Sequence, residues 1–203
     1  MRKIAVLLAL LVFTAAPAYS FQWADTHAGV KGGVNIANQT VDPSTGELQN
    51  SLPGYSMGVW WGVPVNRSLS IRPEALFTMK GDRQKDSNMD ASIKMSYIEV
   101  PVLATMSFLQ DAKTQPSLFV GPSLGFNVGA KAEVGSASVD VKDQTKSTEV
   151  GLVMGGGLDF AVGPKNTLGL DVRYNLGLTN VADASGVTTK NQGICIMGTY
   201  GFQ

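Results

Sequence analysis

Beyond residue 26, apolar residues recur at every second position along most of the chain. In LGLDVRYNLGL (Leu168–Leu178) the even positions are Leu, Leu, Val, Tyr, Leu and Leu, and the odd ones are Gly, Asp, Arg, Asn and Gly. A period of two is that of a β-strand, whose successive side chains point to opposite faces. The same alternation, bounded by Gly, Pro, Asn or Asp, predicts eight strands. They span His27–Ala37, Gly54–Pro64, Ser68–Lys80, Ser92–Phe108, Ser117–Glu133, Thr148–Val162, Asn166–Asn180 and Gln192–Phe202. Outside the first twenty residues no segment carries a helical period.

The connections have a rhythm of their own. A long polar link (NQTVDPSTGELQNSLP) is followed by VNR, then GDRQKDSNMDA, LQDAKTQP, VGSASVDVKDQTKS, GPK and VADASGVTTKN. In an up-and-down meander, odd and even connections lie at opposite ends. Bacterial transmembrane barrels show this asymmetry, with short periplasmic turns and longer extracellular loops. The long connections, 38–53, 81–91, 134–147 and 181–189, are then the surface loops.

Period alone leaves open which face is wet, but side-chain size decides it. Leu69, Ile71, Pro73, Ala75, Phe77 and Met79 share one face of the third segment, opposite Ser68, Ser70, Arg72, Glu74, Leu76, Thr78 and Lys80. Tyr55, Met57, Val59, Trp61 and Val63 likewise oppose Ser56, Gly58, Trp60, Gly62 and Pro64. A soluble barrel fills its interior with bulk and coats its outside with long charged chains. Here the bulky set is segregated from a set of mostly Gly, Ser, Asn and Thr with a few charges, which suits the narrow lumen of an eight-stranded barrel. The bulky face then meets lipid.

This reading places Lys31, Arg72, Glu74, Glu99, Lys131, Asp159, Asp171 and Arg173 in the lumen, with both signs equally represented. Charges in a poorly solvated lumen need partners, because desolvation is costly. The expectation is an ion-pair network that plugs the barrel; selectivity charges lining a pore are the rival. On the lipid face, Trp61, Phe108, Phe160, Tyr200 and Phe202 are expected near the periplasmic rim. Tyr55, Phe77, Tyr97, Phe126 and Tyr174 fall in the outer half, so that aromatic girdles mark both interfaces. The fourth segment breaks the pattern: Lys94 and Ser96 are even and polar, whereas Glu99 is odd. A β-bulge near Tyr97 would switch the parity, with Pro101 on the lumen side of the irregularity.

The N-terminus, MRKIAVLLALLVFTAAPAYS, has a basic start, an apolar run from Ile4 to Ala16 and small residues at Ala16, Ala18 and Ser20. It reads as a secretory signal peptide over 1–20, too short to be a membrane anchor, with one barrel domain over 21–203. The whole chain balances 16 Lys and Arg against 16 Asp and Glu. Without Arg2 and Lys3 the count is 14 against 16, so no basic face argues for a nucleic-acid partner. The single cysteine, Cys195, forms no internal disulfide.

Candidate chemistry is sparse. An enzyme acting on lipid A would want a nucleophile with a base, but the one histidine, His27, lies at the periplasmic start of the first strand. Asp159 and Asp171 on neighbouring strands could pair as acid and base, but beside two arginines they read as salt-bridged. Gly155–Gly157 lies inside a strand, not in a phosphate-binding turn. No metal site, cofactor or catalytic residue is expected. A soluble lipocalin-like binder is the remaining class, and periplasmic solubility would distinguish it.

VKGGVNIA, SLSIRPEALFTMKG, YIEVPVLATMSF, FVGPSLGFNVGA and LGLDVRYNLGLTNV resemble, in order over 27–202, the landmarks of the PorT-like outer-membrane β-barrels. These are often labelled porin family proteins and share architecture with OmpA and OmpX. The resemblance implies an all-β, eight-stranded antiparallel up-and-down transmembrane barrel in a Gram-negative outer membrane. It implies outer-membrane lipid and lipopolysaccharide as surroundings, and neither a pore nor a catalytic site. Tyr200 and Phe202 resemble the C-terminal signal read by the barrel-assembly machinery, although Gln203 is last. The expected role is structural or surface-interacting, with a narrow channel for small solutes as the alternative.

Overall fold

The computed structural model describes residues 26–42, 51–86, 89–109, 112–135, 137–183, 186 and 188–202. The expected signal peptide, residues 43–50 of the first long connection and Gln203 lie outside them. The strands are β1 (His27–Asp42), β2 (Leu52–Pro64), β3 (Leu69–Asp86), β4 (Met89–Ser107), β5 (Thr114–Val134), β6 (Ala137–Asp140), β7 (Thr148–Ala161), β8 (Asn166–Gly177) and β9 (Thr188–Phe202). All neighbours pair antiparallel, in the order β4-β3-β2-β1-β9-β8-β7-β5. Pairing of β4 with β5 closes the ring into an eight-stranded barrel. The four-residue β6 continues alongside β5 beyond the end of β7.

Side chains alternate around the whole ring. Val34 and Ile36 are 55% and 46% exposed, whereas Asn35 between them is 1% exposed. Apolar side chains cover the outside, and the charged and most polar ones lie inside together with small apolar clusters such as Leu103–Phe119–Val153. On β5 the outward row runs from Leu118 through Val120, Leu124 and Phe126 to Val128. Ten steps of about 3.3 Å on a strand tilted by about 40° span roughly 25 Å, the height of the apolar band of an outer-membrane barrel.

Glycines make the tight curvature possible. A Cβ at Gly33 would collide with the carbonyl oxygen of Ile196, one at Gly58 with that of Ala75, and one at Gly121 with that of Val102. Only glycine lets the neighbouring backbone come so close. The connections 65–68 and 162–165 and residues 108–109 and 112–113 lie at one end together with His27 and Phe202. In the first of these turns the Asn66 side chain accepts the backbone N–H groups of Ser68 and Leu69, each at 2.9 Å.

At the other end the strands run further than alternation indicates. The 81–91 segment is no loop: β3 and β4 stay paired from Gly81↔Lys94 to Asp86↔Met89. Likewise β1 continues to Asp42, and 137–140 forms β6. These stretches stand above the apolar band, where the outer face no longer needs apolar bulk, so strand pairing continues without an apolar period.

The parity break in the fourth segment has a different origin from the one expected. The β4–β5 ladder does shift register between Ser96 and Tyr97, but the surplus residue is Val128 on β5: Ser96 pairs with Gly129 and Tyr97 with Asn127. Against β3, β4 keeps a constant register across this point. Met95, Tyr97, Glu99, Pro101, Leu103 and Thr105 therefore all face inward. Two placements change as a result. Tyr97 is 0% exposed inside the barrel and is not part of the aromatic girdle. Lys131, beyond the bulge, is exposed on the outer surface and is not in the lumen. Pro101, fully buried, sits where the β3–β4 ladder is interrupted between Pro73↔Val102 and Leu76↔Glu99.

The charged barrel interior as candidate functional site

Antiparallel register brings inward residues of distant strands into two polar layers. The layer nearer the short turns is built by Lys31 on β1, Arg72 and Glu74 on β3, and Asp171 and Arg173 on β8. Lys31 Nζ lies 2.8 Å from Glu74 Oε1 and 2.7 Å from Asp171 Oδ2. Arg173 Nη1 donates to Glu74 Oε2 at 2.7 Å, and its Nη2 to Asp171 Oδ2 at 2.7 Å. Arg72 Nε is 3.1 Å from Glu74 Oε1, and its Nη2 is 3.5 Å from Asp171 Oδ2. Glu74 thus meets three cations, and so does Asp171. Both guanidinium groups also lie over the ring of Phe119 on β5, Arg72 at 4.7 Å and Arg173 at 5.2 Å from its centroid. Burial of this kind is tolerable only when every charge has a close partner. Asp159 lies on the same face of β7, half-buried, and accepts a long 3.5 Å hydrogen bond from Thr199.

The second layer lies towards the long connections. Lys80 on β3 bridges Glu99 Oε1 at 2.6 Å and Glu149 Oε2 at 3.1 Å. Asn191 donates to Glu149 at 3.2 Å and accepts from Gln39 at 2.8 Å. Lys80 also sits 5.2 Å from the centre of the Tyr97 ring. Between the layers Ser56 and Thr78 share a 2.9 Å hydrogen bond, and Cys195 and Met197 are buried. The gap lined by Asn35, Lys80, Asn175, Asn191, Gln192 and Gly193 has no room for a water molecule.

A strap lies across the top. Thr145 forms an isolated antiparallel bridge with Ala182, and Lys146 N–H donates to the Val181 carbonyl at 2.8 Å. Val181 is 2% exposed and packs on Met95, Tyr97 and Ala130. Asn127, at the bulge, donates to Thr145 Oγ1 at 2.9 Å.

Of the eight residues expected in the lumen, five form the lower layer and Glu99 joins the upper one. Asp159 stands beside the lower layer, and Lys131 is outside. Alternation puts Lys80 on the inner face without joining it to the lumen charges, and it does not single out Glu149, Asn191 or Phe119. Glu149 has the parity of Gly151 and Asp159, and Lys80 that of Arg72 and Glu74, so the signal was present at the strand ends. On the outer face, Trp61, Phe108, Phe160, Tyr200 and Phe202 are exposed towards the short-turn end. Tyr55 and Phe126 are exposed nearer the other end, Phe77 is half-buried and stacks on Tyr55 at 5.8 Å, and Tyr174 donates to Gln192 at 2.9 Å.

A closed eight-stranded barrel with an apolar outside, a charged inside and short turns at the end that holds both strand termini is a transmembrane barrel of the outer-membrane class. The chain belongs to the outer membrane protein beta-barrel domain family, whose model matches residues 20–183. It is accordingly a protein of the Gram-negative outer membrane, surrounded by its lipids and lipopolysaccharide. Among solved structures it is similar to Neisserial surface protein A from Neisseria, with 19% identity and a TM-score of 0.53 over 86% of this chain and 95% of that one. It is also similar to the outer membrane protein OprG from Pseudomonas aeruginosa, with 15% identity and a TM-score of 0.53 over 87% of this chain and 94% of that one. At these identities the likeness concerns the fold. No curated protein sequence matches the chain.

Proposed function

We propose that this barrel is a non-enzymatic envelope protein with a structural or surface-interaction role, its lumen plugged by ion pairs rather than open to solutes. The observation that carries this reading is the lower charge layer, where Lys31, Glu74, Asp171 and Arg173 are 4% exposed or less and mutually paired. The upper layer and the Val181 strap support it by filling the remaining cross-section. Glu74, Glu99, Glu149 and Asp171 are each held by a cation, which suits structure better than acid–base work. The paired extensions of β3 to β6 above the apolar band supply a surface for interaction. Planar-bilayer recording of the purified barrel tests the plug. It should give no stable conductance steps, and large, reproducible steps would establish the narrow-channel alternative instead.

A further inference from the structure

Towards the short turns the barrel interior opens. Ser117, Asp171 and Arg173 are buried, whereas Gly157 and Asp159 on β7, Thr167 and Gly169 on β8 and Thr199 on β9, which also face inward, are half-buried. Inward residues that keep contact with solvent mark a recess open to the periplasm. From Thr167 to Asp171 it is roughly 10 Å deep, at about 3.3 Å per residue and a tilt of about 40°. It ends on the lower charge layer.

One wall of the recess is a row of glycines covered by an aromatic ring. Thr167 pairs with Gly201, Gly201 with Gly29, and Gly29 with Trp60. A Cβ at Gly29 would come within 2.6 Å of the Trp60 indole Nε1 and Cε2, one at Gly201 within 3.0 Å of Cζ2, and one at Gly62 within 3.5 Å of Cζ3. Three wall positions on three strands each meet a different part of the ring, so the indole lies along the wall and not across the lumen. Trp60 is half-buried, and its other face is turned to the recess. Thr167 Oγ1 stands at the edge of the ring, beside Gly201. One row further in, Asp159 Oδ1 and Thr199 Oγ1 both reach over Gly169.

Asp159 differs from the other interior carboxylates. Glu74 and Asp171 each meet three cations, but none of those cations forms an ion pair with Asp159, whose hydrogen bond from Thr199 is a long 3.5 Å. Its carboxylate keeps lone pairs for a further donor. Lys31, Arg72 and Arg173 against Glu74 and Asp171 leave one positive charge, which Asp159 balances at longer range. The end of the recess is therefore close to neutral. An added ammonium would face the cations of the layer, and an added anion would face Asp159.

We propose that this recess binds one uncharged pyranose ring presented from the periplasm, stacked on the free face of Trp60 with a hydroxyl donating to Asp159. The negative face of an aromatic ring suits the C–H side of a sugar, and a carboxylate accepts hydroxyls in charge-assisted hydrogen bonds. The Thr167 and Thr199 hydroxyls stand beside these two groups as further partners. The lumen of an eight-stranded barrel is too narrow for more than one small ligand, so the occupant is a monosaccharide or the end of a glycan chain.

The test uses the full barrel in detergent micelles, where both ends are accessible, with Trp23→Phe/Trp61→Phe leaving Trp60 as the single tryptophan. N-acetylglucosamine and its linear trimer are titrated against Trp60 emission, with putrescine as a cationic probe. Both sugars should change the emission saturably. Tighter binding of the trimer would assign the site to a glycan end and equal binding to a free sugar, and either result upholds the proposal. Asp159→Asn should raise the Kd about tenfold through loss of a charge-assisted hydrogen bond. Thr167→Phe, which fills the mouth, should abolish binding, and Asp143→Asn, exposed at the opposite end, should bind like the parent. Each variant is first shown to give a heat-modifiable band. Saturation by putrescine but not by sugar, no saturable change with either sugar, or unchanged binding in Asp159→Asn or Thr167→Phe would each overturn the proposal.

Discussion

Glu74→Ala is the sharpest probe of the barrel interior. Glu74 is 3% exposed, and Lys31, Arg173 and Arg72 approach it at 2.8, 2.7 and 3.1 Å. At an effective dielectric of about 20, each contact of this length is an attraction on the order of 5 kcal/mol before desolvation. Desolvation removes much of that from the net balance. Deleting the carboxylate does not restore it, because the cations stay buried. Three of them would then share Asp171 as their remaining close counter-charge, with Asp159 further off. Breaking a buried pair costs about 3–5 kcal/mol, and this carboxylate serves three partners, so a loss near the top of that range is expected. Urea titration in phospholipid vesicles, followed by Trp60 and Trp61 fluorescence and by heat-modifiability, measures it. Glu133→Ala, which breaks the half-exposed Lys94–Glu133 pair, should change stability by about 1 kcal/mol or less. Glu74→Met combined with Arg173→Met should be less damaging than Glu74→Ala alone, because a cation leaves together with its anion. If Glu74→Ala unfolded within about 1 kcal/mol of the parent, the interior would be solvated enough to screen its charges, and the plug would lose its physical basis.

Leu170, 47% exposed on the outer face of β8, should not tolerate arginine: Leu170→Arg is expected to cost about 2–4 kcal/mol near the midplane, and a variant that inserts and unfolds like the parent would contradict the face assignment. Gly33→Val drives a side chain into the Ile196–Met197 backbone and should yield no heat-modifiable barrel, whereas Gly198→Ala, whose Cβ would meet only the Gly32 carbonyl at 3.9 Å, should fold normally. Val181→Asp places a charge among Met95, Tyr97 and Ala130 and should release the strap without unfolding the ring. Trypsin should then cut vesicle-embedded protein faster at the exposed Lys142 and Lys146, and an unchanged digestion rate would show that Val181 does not hold the strap.

The ring itself was legible because lipid and lumen impose opposite demands at every second residue. Val34–Asn35–Ile36 and Leu170–Asp171–Val172 each state both demands within three positions, and no soluble arrangement satisfies them so regularly. What failed to show lay where one of those demands lapses. Above the apolar band the outer face no longer needs bulk, so 81–91 read as a loop although its backbone pairs to Asp86↔Met89. The same lapse hid the bulge. The polar outward residues Lys94 and Ser96 mark β4 leaving the membrane, yet they imitate a change of parity on β4. The surplus Val128 lies on β5, where VGAKAE offers small or apolar residues of either parity and Lys131 could be assigned to either face. A register step belongs to a pair of strands, so only the pairing identifies the strand that carries the extra residue. Its position has a consequence for the interior. By returning Ala130 to the inside after Asn127, the bulge leaves room above Tyr97 for Val181, and it turns Lys131 outward beside Lys94. One inserted residue thereby seats Val181 on the Met95–Tyr97–Ala130 cluster and turns Lys131 to the outer surface.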